Sequence, residues 1–178
     1  NEQIAKITDL LKTERNFARL ISQADVAFDE EQYINSKNLY TQALEIKPDD
    51  DHATSRIDEI DEILAQQNLD EQYAGLIAEA DNFFDAEELE QAKTRYQEAL
   101  LVKPGEKYPE DRIDEIDGIF EERARLEERY QNVVAVADQL FQAEELAEAR
   151  DAYENASGIK PAETYPLEMI QRIDSLIA

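Results

Sequence analysis

The chain has 178 residues, of which 18 are basic and 43 acidic, and its formal net charge at pH 7 is −25. This charge argues against nucleic acid and anionic membrane surfaces as partners, because both bind clustered lysine and arginine. The absence of cysteine and the single histidine exclude disulfides, cysteine-ligated metals and multi-histidine metal sites. No apolar run approaches the roughly 20 residues that span a bilayer. We expect neither a cofactor nor a small-molecule substrate.

Three segments align without gaps and define an internal repeat. They begin at Phe17, Tyr73 and Tyr130, which places them 56 and 57 residues apart. We predict that residues 17–72 and 73–129 form the first two repeats and that residues 130–178 form a truncated third repeat. Because the chain begins with Asn1 rather than Met, we expect it to be a piece of a longer protein.

The N-terminal stretch of the chain is predicted to be helical. Its Ile4 and Ile7 align with Ile57 and Ile60, which lie in the last helical stretch of the first repeat. Residues 1–16 are therefore predicted to be the end of a preceding repeat's third helix.

The next two stretches of each repeat carry apolar residues at helical spacing. In the second copy these stretches are separated by a polar break at residues 85–88. The second helix is predicted to end at Lys103, because a residue that precedes a proline disfavours the α conformation. Strict alternation typical of a half-buried strand is found nowhere, so the predicted fold class is all-α.

A third helical stretch begins at a tyrosine–proline pair in the later copies, since proline suits a first helical turn. Between this helix and the next repeat there is no proline or glycine. We predict one unbroken helix from Ala53 to about Phe84. The one-residue difference between the two periods lies in this join, where it would rotate one repeat by about 100° or be absorbed by a kink or π-bulge.

Each copy has small residues on both helices of the hairpin, a tyrosine on the second helix and a proline after it. These residues are Ala24, Ser36, Tyr40, Ala43 and Pro48; Ala80, Ala92, Tyr96, Ala99 and Pro104; and Ala137, Ala149, Tyr153, Ala156 and Pro161. The pattern resembles the tetratricopeptide repeat, which has a period of about 34 residues. The longer period here implies an additional helix in each repeat. The resemblance implies an elongated array of helical hairpins, each with an extra helix running into the next repeat. Its turns lack the glycine that is frequent in the family.

Charged residues follow the small residues at the helix crossings. An aspartate follows the first helix's alanine and a base follows the second helix's small residue, giving the pairs Asp25 and Lys37, Asp81 and Lys93, and Asp138 and Arg150. We predict an interhelical ion pair within each hairpin. The alternative is that the aspartates line a ligand face.

Structural roles are predicted for the remaining polar residues. The acids of the third helices include Asp58, Glu59 and Asp61. We expect them on a solvated helix face and not in a calcium site, because calcium requires oxygens that converge from a loop. His52 replaces the tyrosine found as Tyr108 and Tyr165 in the later copies. We interpret these tyrosines as packing over the loop and His52 as a substitution particular to its repeat.

The function predicted from these patterns is that of a non-enzymatic helical repeat segment, an elongated spacer or scaffold within a larger protein. The alternative is a protein–protein interaction module that binds a basic or amphipathic peptide. The absence of cysteine is compatible with the cytoplasm and with the cell envelope or an extracellular location.

Overall fold

The computed structural model describes residues 2–178, and this part of the chain contains helices and no strands. The predicted all-α fold class is confirmed. The helices are α1 (Glu2–Asp29), α2 (Tyr33–Ile46), α3 (Asp51–Asp85), α4 (Leu89–Val102), α5 (Lys107–Gln142), α6 (Leu146–Ile159) and α7 (Tyr165–Ile177).

The chain divides into two compact units. The first comprises the residues up to Asn82 together with Glu98–Pro104, and the second comprises Phe83–Gln97 together with Gly105–Ala178. The predicted repeat boundaries after residues 72 and 129 lie inside α3 and α5, so they do not coincide with the boundaries of these units.

The core of the first unit lies where α1, α2 and α3 meet. Ala24, Tyr40, Ala53 and Ile60 form one cluster, and each is fully buried. The absence of a large side chain at Ala24 and Ser36 lets the backbones of α1 and α2 approach closely, as in other helix pairs packed through small residues. The Ser36 hydroxyl is buried and donates to the Ala24 carbonyl oxygen over 2.9 Å, which satisfies the one polar side chain at this crossing.

The second unit has an equivalent core between α5, α6 and α7. Ala137, Ala149, Tyr153 and Ile173 are fully buried there, with Met169 beside them. The tyrosine and isoleucine supply most of the apolar volume, since the alanines mainly allow the helices to approach.

Two helices are unusually long for a globular chain. Helix α3 has 35 residues and α5 has 36, so each extends about 50 Å at 1.5 Å per residue. The predicted unbroken helix is confirmed, with α3 beginning two residues earlier than expected, at Asp51. Both helices are α-helical throughout, without a π-helical turn. Residues 65–72 of α3 are all exposed, and we call residues 65–72 the α3 join.

The turns after α1, α3 and α5 share one backbone conformation. In each turn a glutamate has a positive φ: Glu31 (59°), Glu87 (60°) and Glu144 (62°). After α5, the Glu144 amide donates to the Phe141 carbonyl and the Glu145 amide donates to the Leu140 carbonyl. This bonding is the Schellman motif, in which a left-handed residue ends the helix. The turns therefore need the conformation that glycine adopts readily, although the sequence has none there.

Replacing this glutamate by glycine is expected to stabilise the protein. Glu144→Gly should raise the unfolding free energy by about 0.5–1 kcal/mol, because the left-handed conformation is costly for a residue with a Cβ. The matched control is Glu145→Gly, since Glu145 has a φ of −80° and gains nothing from glycine. Urea denaturation followed by circular dichroism measures both variants. Equal stability changes in the two variants would contradict this explanation.

Candidate functional site

A cluster of polar side chains in the first unit surrounds Asp25. The buried Tyr40 donates its hydroxyl hydrogen bond to the Asp25 carboxylate, and His52 Nε2 lies 2.8 Å from the same oxygen. The His52 ring meets the Tyr40 ring edge-on, with centroids 5.8 Å apart. One carboxylate thus joins α1 to side chains of α2 and α3.

The same cluster recurs in the second unit. The Tyr153 hydroxyl donates to Asp138 over 2.5 Å, and the Tyr165 hydroxyl donates to the same oxygen over 2.7 Å. Tyr165 meets the Tyr153 ring edge-on, at 6.0 Å between centroids. His52 and Tyr165 therefore make equivalent contacts, since each contacts both the aspartate and the tyrosine of its hairpin.

In the second copy, Tyr108 meets Tyr96 edge-on at 6.2 Å. Arg112 Nε donates to the Tyr96 hydroxyl over 3.3 Å, and the Arg112 guanidinium lies 3.7 Å from the Phe84 ring centroid. Asp81 also has an interaction partner in the structure.

These contacts alter the pKa values of the cluster. Burial raises the pKa of Tyr40 and of Tyr153, and the hydrogen bond that each donates to an aspartate raises it further. Burial also acts to raise the pKa of Asp25, but hydrogen bonds from Tyr40 and His52 outweigh it, so that this pKa is lowered. Near neutral pH, Tyr40 is therefore neutral and Asp25 is charged.

The bases of the second helices contact the third helix rather than the first. Lys37 pairs with Asp61 and Lys93 pairs with Asp117. Arg150 Nε lies 2.8 Å from an Asp174 carboxylate oxygen. The expected pairings of Lys37 with Asp25 and of Arg150 with Asp138 are therefore corrected. Their aspartates instead accept hydrogen bonds from buried tyrosines, while the bases point toward α3 and α7.

A third recurring contact was not anticipated from the sequence. The lysine before each interhelix proline lies between a carboxylate and an aromatic ring of the long helix. Lys47 pairs with Glu14 at 2.6 Å and Lys160 pairs with Glu127 at 2.6 Å, and Lys103 pairs with Asp70 at 2.8 Å.

The aromatic partners of these lysines are Phe17, Tyr73 and Tyr130, at 4.4, 5.0 and 5.2 Å from Nζ to the ring centroid. The hydrogen bond from Lys103 lowers the pKa of Asp70, and the one from Lys160 lowers that of Glu127. The signal for this contact was present in the sequence, since an acid stands three residues before each of these aromatic residues.

No family model, curated protein or solved structure matches the chain. A functional proposal for this chain therefore depends on the contacts and exposed surfaces of its described residues.

Among residues 2–178, no group of three or more histidine, aspartate or glutamate side chains is placed to hold a metal ion. None of the helices formed by these residues combines the length and the apolarity needed to cross a membrane.

Several apolar side chains of the first unit are exposed, and two surfaces group exposed or half-buried ones together. One is the N-terminal turns of α1, which carry Ile4, Ile7, Leu10 and Leu11. The other is an open concavity beside α1 and α2, lined among others by Gln23, Val26, Asn35 and Leu39. The polar clusters hold helices to one another, whereas these two surfaces have apolar area available for contact.

Proposed function

We propose that the chain is a non-enzymatic helical repeat segment, related in pattern to tetratricopeptide repeats, that acts as an elongated spacer or scaffold within a larger protein. The observation that carries the proposal is the pair of unbroken helices α3 and α5, with 35 and 36 residues. Each joins what the sequence predicts to be the last helix of one repeat to the first helix of the next. A helix that continues through a join transmits direction along the chain, as a flexible linker would not.

The contacts that Lys103 and Lys160 make with the long helices support this function. Lys103 ties the end of α4 to Asp70 in the α3 join and to Tyr73 just beyond it. Lys160 ties the end of α6 to Glu127 and Tyr130 of α5. Individually these exposed ion pairs are weak, but the aromatic contact adds to each one. They hold a shorter helix against the long helix where its side chains are otherwise exposed.

The stiffness of the α3 join tests the proposal. Because the chain has no cysteine, spin labels can be attached at Asp58→Cys and Ala78→Cys, two exposed positions on α3. The 20-residue separation predicts a narrow distance distribution centred near about 30 Å, measured by double electron–electron resonance. Asn68→Pro should broaden and shift it, because proline removes a helical hydrogen bond and clashes with the preceding turn.

The matched control is Asn68→Ala, which keeps the helix and should leave the distribution narrow. Small-angle scattering of the parent chain should show an elongated particle. A broad distance distribution in the parent, or a compact scattering profile, would rule out the spacer function.

The alternative function, binding of a basic or amphipathic peptide, is favoured by one observation. The concavity that contains Val26 and Leu39 has a single charged residue, Glu30, among its eight lining residues. In a chain in which 34% of residues are charged, the apolar lining residues Val26, Ala27 and Leu39 suit the apolar side of an amphipathic helix, and Glu30 is available to its basic side.

A further inference from the structure

The N-terminal turns of α1 carry an apolar stripe whose central residue, Ile7, has fully buried counterparts elsewhere in the chain. Its members are exposed by about half or more: Ile4 (67%), Ile7 (57%), Leu10 (65%) and Leu11 (53%). An offset of 53 residues aligns them with Ile57, Ile60, Ile63 and Leu64 of α3. Ile60 is fully buried, as are Ile116 and Ile173 at the same place in the other two copies. The counterparts of Leu10 and Leu11 in the third copy, Leu176 (59%) and Ile177 (57%), are exposed as well. The position of Ile7 is thus buried in three copies and exposed only in α1 among the described residues.

The structure shows what covers the buried stripes. Ile60 packs with Ala24 of α1 and Tyr40 of α2. Ile173 packs with Ala137 of α5 and with Ala149 and Tyr153 of α6. In both units the cover is a pair of helices that cross at small residues and present one tyrosine. The α1 stripe has the residues to receive a cover of the same shape.

The charges around the α1 stripe differ from those of its counterparts. Asp61, Asp117 and Asp174 each pair with a base of the covering hairpin. The position equivalent to them in α1 is Thr8, whose hydroxyl donates to the Ile4 carbonyl of its own helix. Four residues later, on the same face, stands Lys12. Residues 2–19 carry four bases and three acids in a chain whose net charge is −25.

The geometry points to a docking surface for a helical hairpin from outside these 178 residues. This partner hairpin crosses at small residues, presents an aromatic side chain to Ile7 and carries an acid where α2 has Lys37. That acid pairs with Lys12. The three hairpins of this chain have a base at that place, Lys37, Lys93 or Arg150, so a second copy of the chain is a poorer partner. The inference does not depend on the spacer function.

A chain with an added hairpin tests the inference. A second copy of residues 17–53 is joined directly before Asn1, which preserves the 53-residue offset, and Lys37→Glu is made in the added copy only. Hydrogen exchange of the amides of residues 2–12, followed by mass spectrometry, is compared with the parent chain. We expect exchange to slow by about tenfold or more, because opening then requires separation from the added hairpin.

Two substitutions identify the contacts in the extended chain. In the extended chain, Ile7→Asp should restore fast exchange of residues 2–12. In the parent chain, the same substitution should leave the unfolding free energy unchanged. Lys12→Glu should speed exchange by about two- to fivefold, the range of a single exposed ion pair. An added copy that keeps Lys37 should protect residues 2–12 less than the Lys37→Glu copy does.

Three results would overturn the inference. The first is equal exchange of residues 2–12 in the parent and extended chains. The second is equal protection by the added copies with Lys37 and with Lys37→Glu, which would remove the role of Lys12. The third is a dimer of the parent chain in sedimentation that Ile7→Asp dissociates, which would show that a second copy covers the stripe.

Discussion

Truncation of Ile60 to alanine is expected to destabilise the protein strongly. The Ile60 side chain is fully buried against Ala24 and Tyr40, and removal of its outer carbons leaves a cavity that rigid helices fill only in part. Ile60→Ala should lower the unfolding free energy by about 2–5 kcal/mol. Urea denaturation followed by far-ultraviolet circular dichroism measures the change.

Ile7→Ala is the matched control for Ile60→Ala. Ile7 occupies the equivalent place in α1 but is 57% exposed. Its truncation should change the unfolding free energy by less than about 0.5 kcal/mol, since alanine also favours the helix. A loss at Ile7 as large as the loss at Ile60 would mean that the N-terminal stripe is covered in solution.

The buried tyrosines should make the protein sensitive to alkaline pH. The pKa of Tyr40 and the pKa of Tyr153 are raised in the folded protein, whereas in the unfolded chain both phenols lose their protons near pH 10. Above that pH the unfolded state binds fewer protons than the folded state, so the unfolding free energy falls as pH rises. The stabilisation is complete below pH 10 and is lost as pH rises through the folded pKa values. Once the unfolded phenols are almost fully ionised, near pH 11, each tyrosine should contribute about 1.4 kcal/mol per pH unit to this fall.

The double variant Tyr40→Phe and Tyr153→Phe isolates this effect. Its unfolding free energy should fall with pH less steeply than that of the parent. The difference in slope should be about 1.4 kcal/mol per pH unit at pH 10, where the unfolded phenols are half ionised, and should approach about 2.7 kcal/mol per pH unit near pH 11. Urea denaturation at several pH values between 8 and 11 gives both slopes, and the difference between them removes the titration of lysines that the two proteins share. Parallel slopes would mean that the hydroxyls titrate alike in the folded and unfolded states.

The helices were predictable because strong local signals coincide. Pro104 and the polar residues 85–88 bracket the second helix of the second copy, and α4 is found at Leu89–Val102. The absence of proline and glycine between Ile60 and Tyr73 was sufficient to predict the continuous α3. These signals depend on backbone geometry within a few residues, where sequence and structure are closely coupled.

The partners of the charged residues were harder to predict. The spacing places Lys37 one residue after the helix crossing, but spacing alone does not determine which neighbouring helix it faces. Asp25 accepts the hydrogen bond of the buried Tyr40 hydroxyl, which would otherwise be unsatisfied. Lys37 is left to pair with Asp61. Which acid a base contacts depends on tertiary packing, which a repeat pattern does not contain.

The exposure of the α3 join has a consequence for how this sequence can diverge. Side chains in residues 65–72 are not buried, so a residue gained or lost there removes no part of a core. Each such change lengthens or shortens the helix by about 1.5 Å and turns the C-terminal part of the helix by about 100°. Helix propensity is then the main requirement on most of these positions, and length variants should accumulate there sooner than in the hairpins. The number of residues between successive hairpins would thus change in such variants while the hairpin cores stay intact.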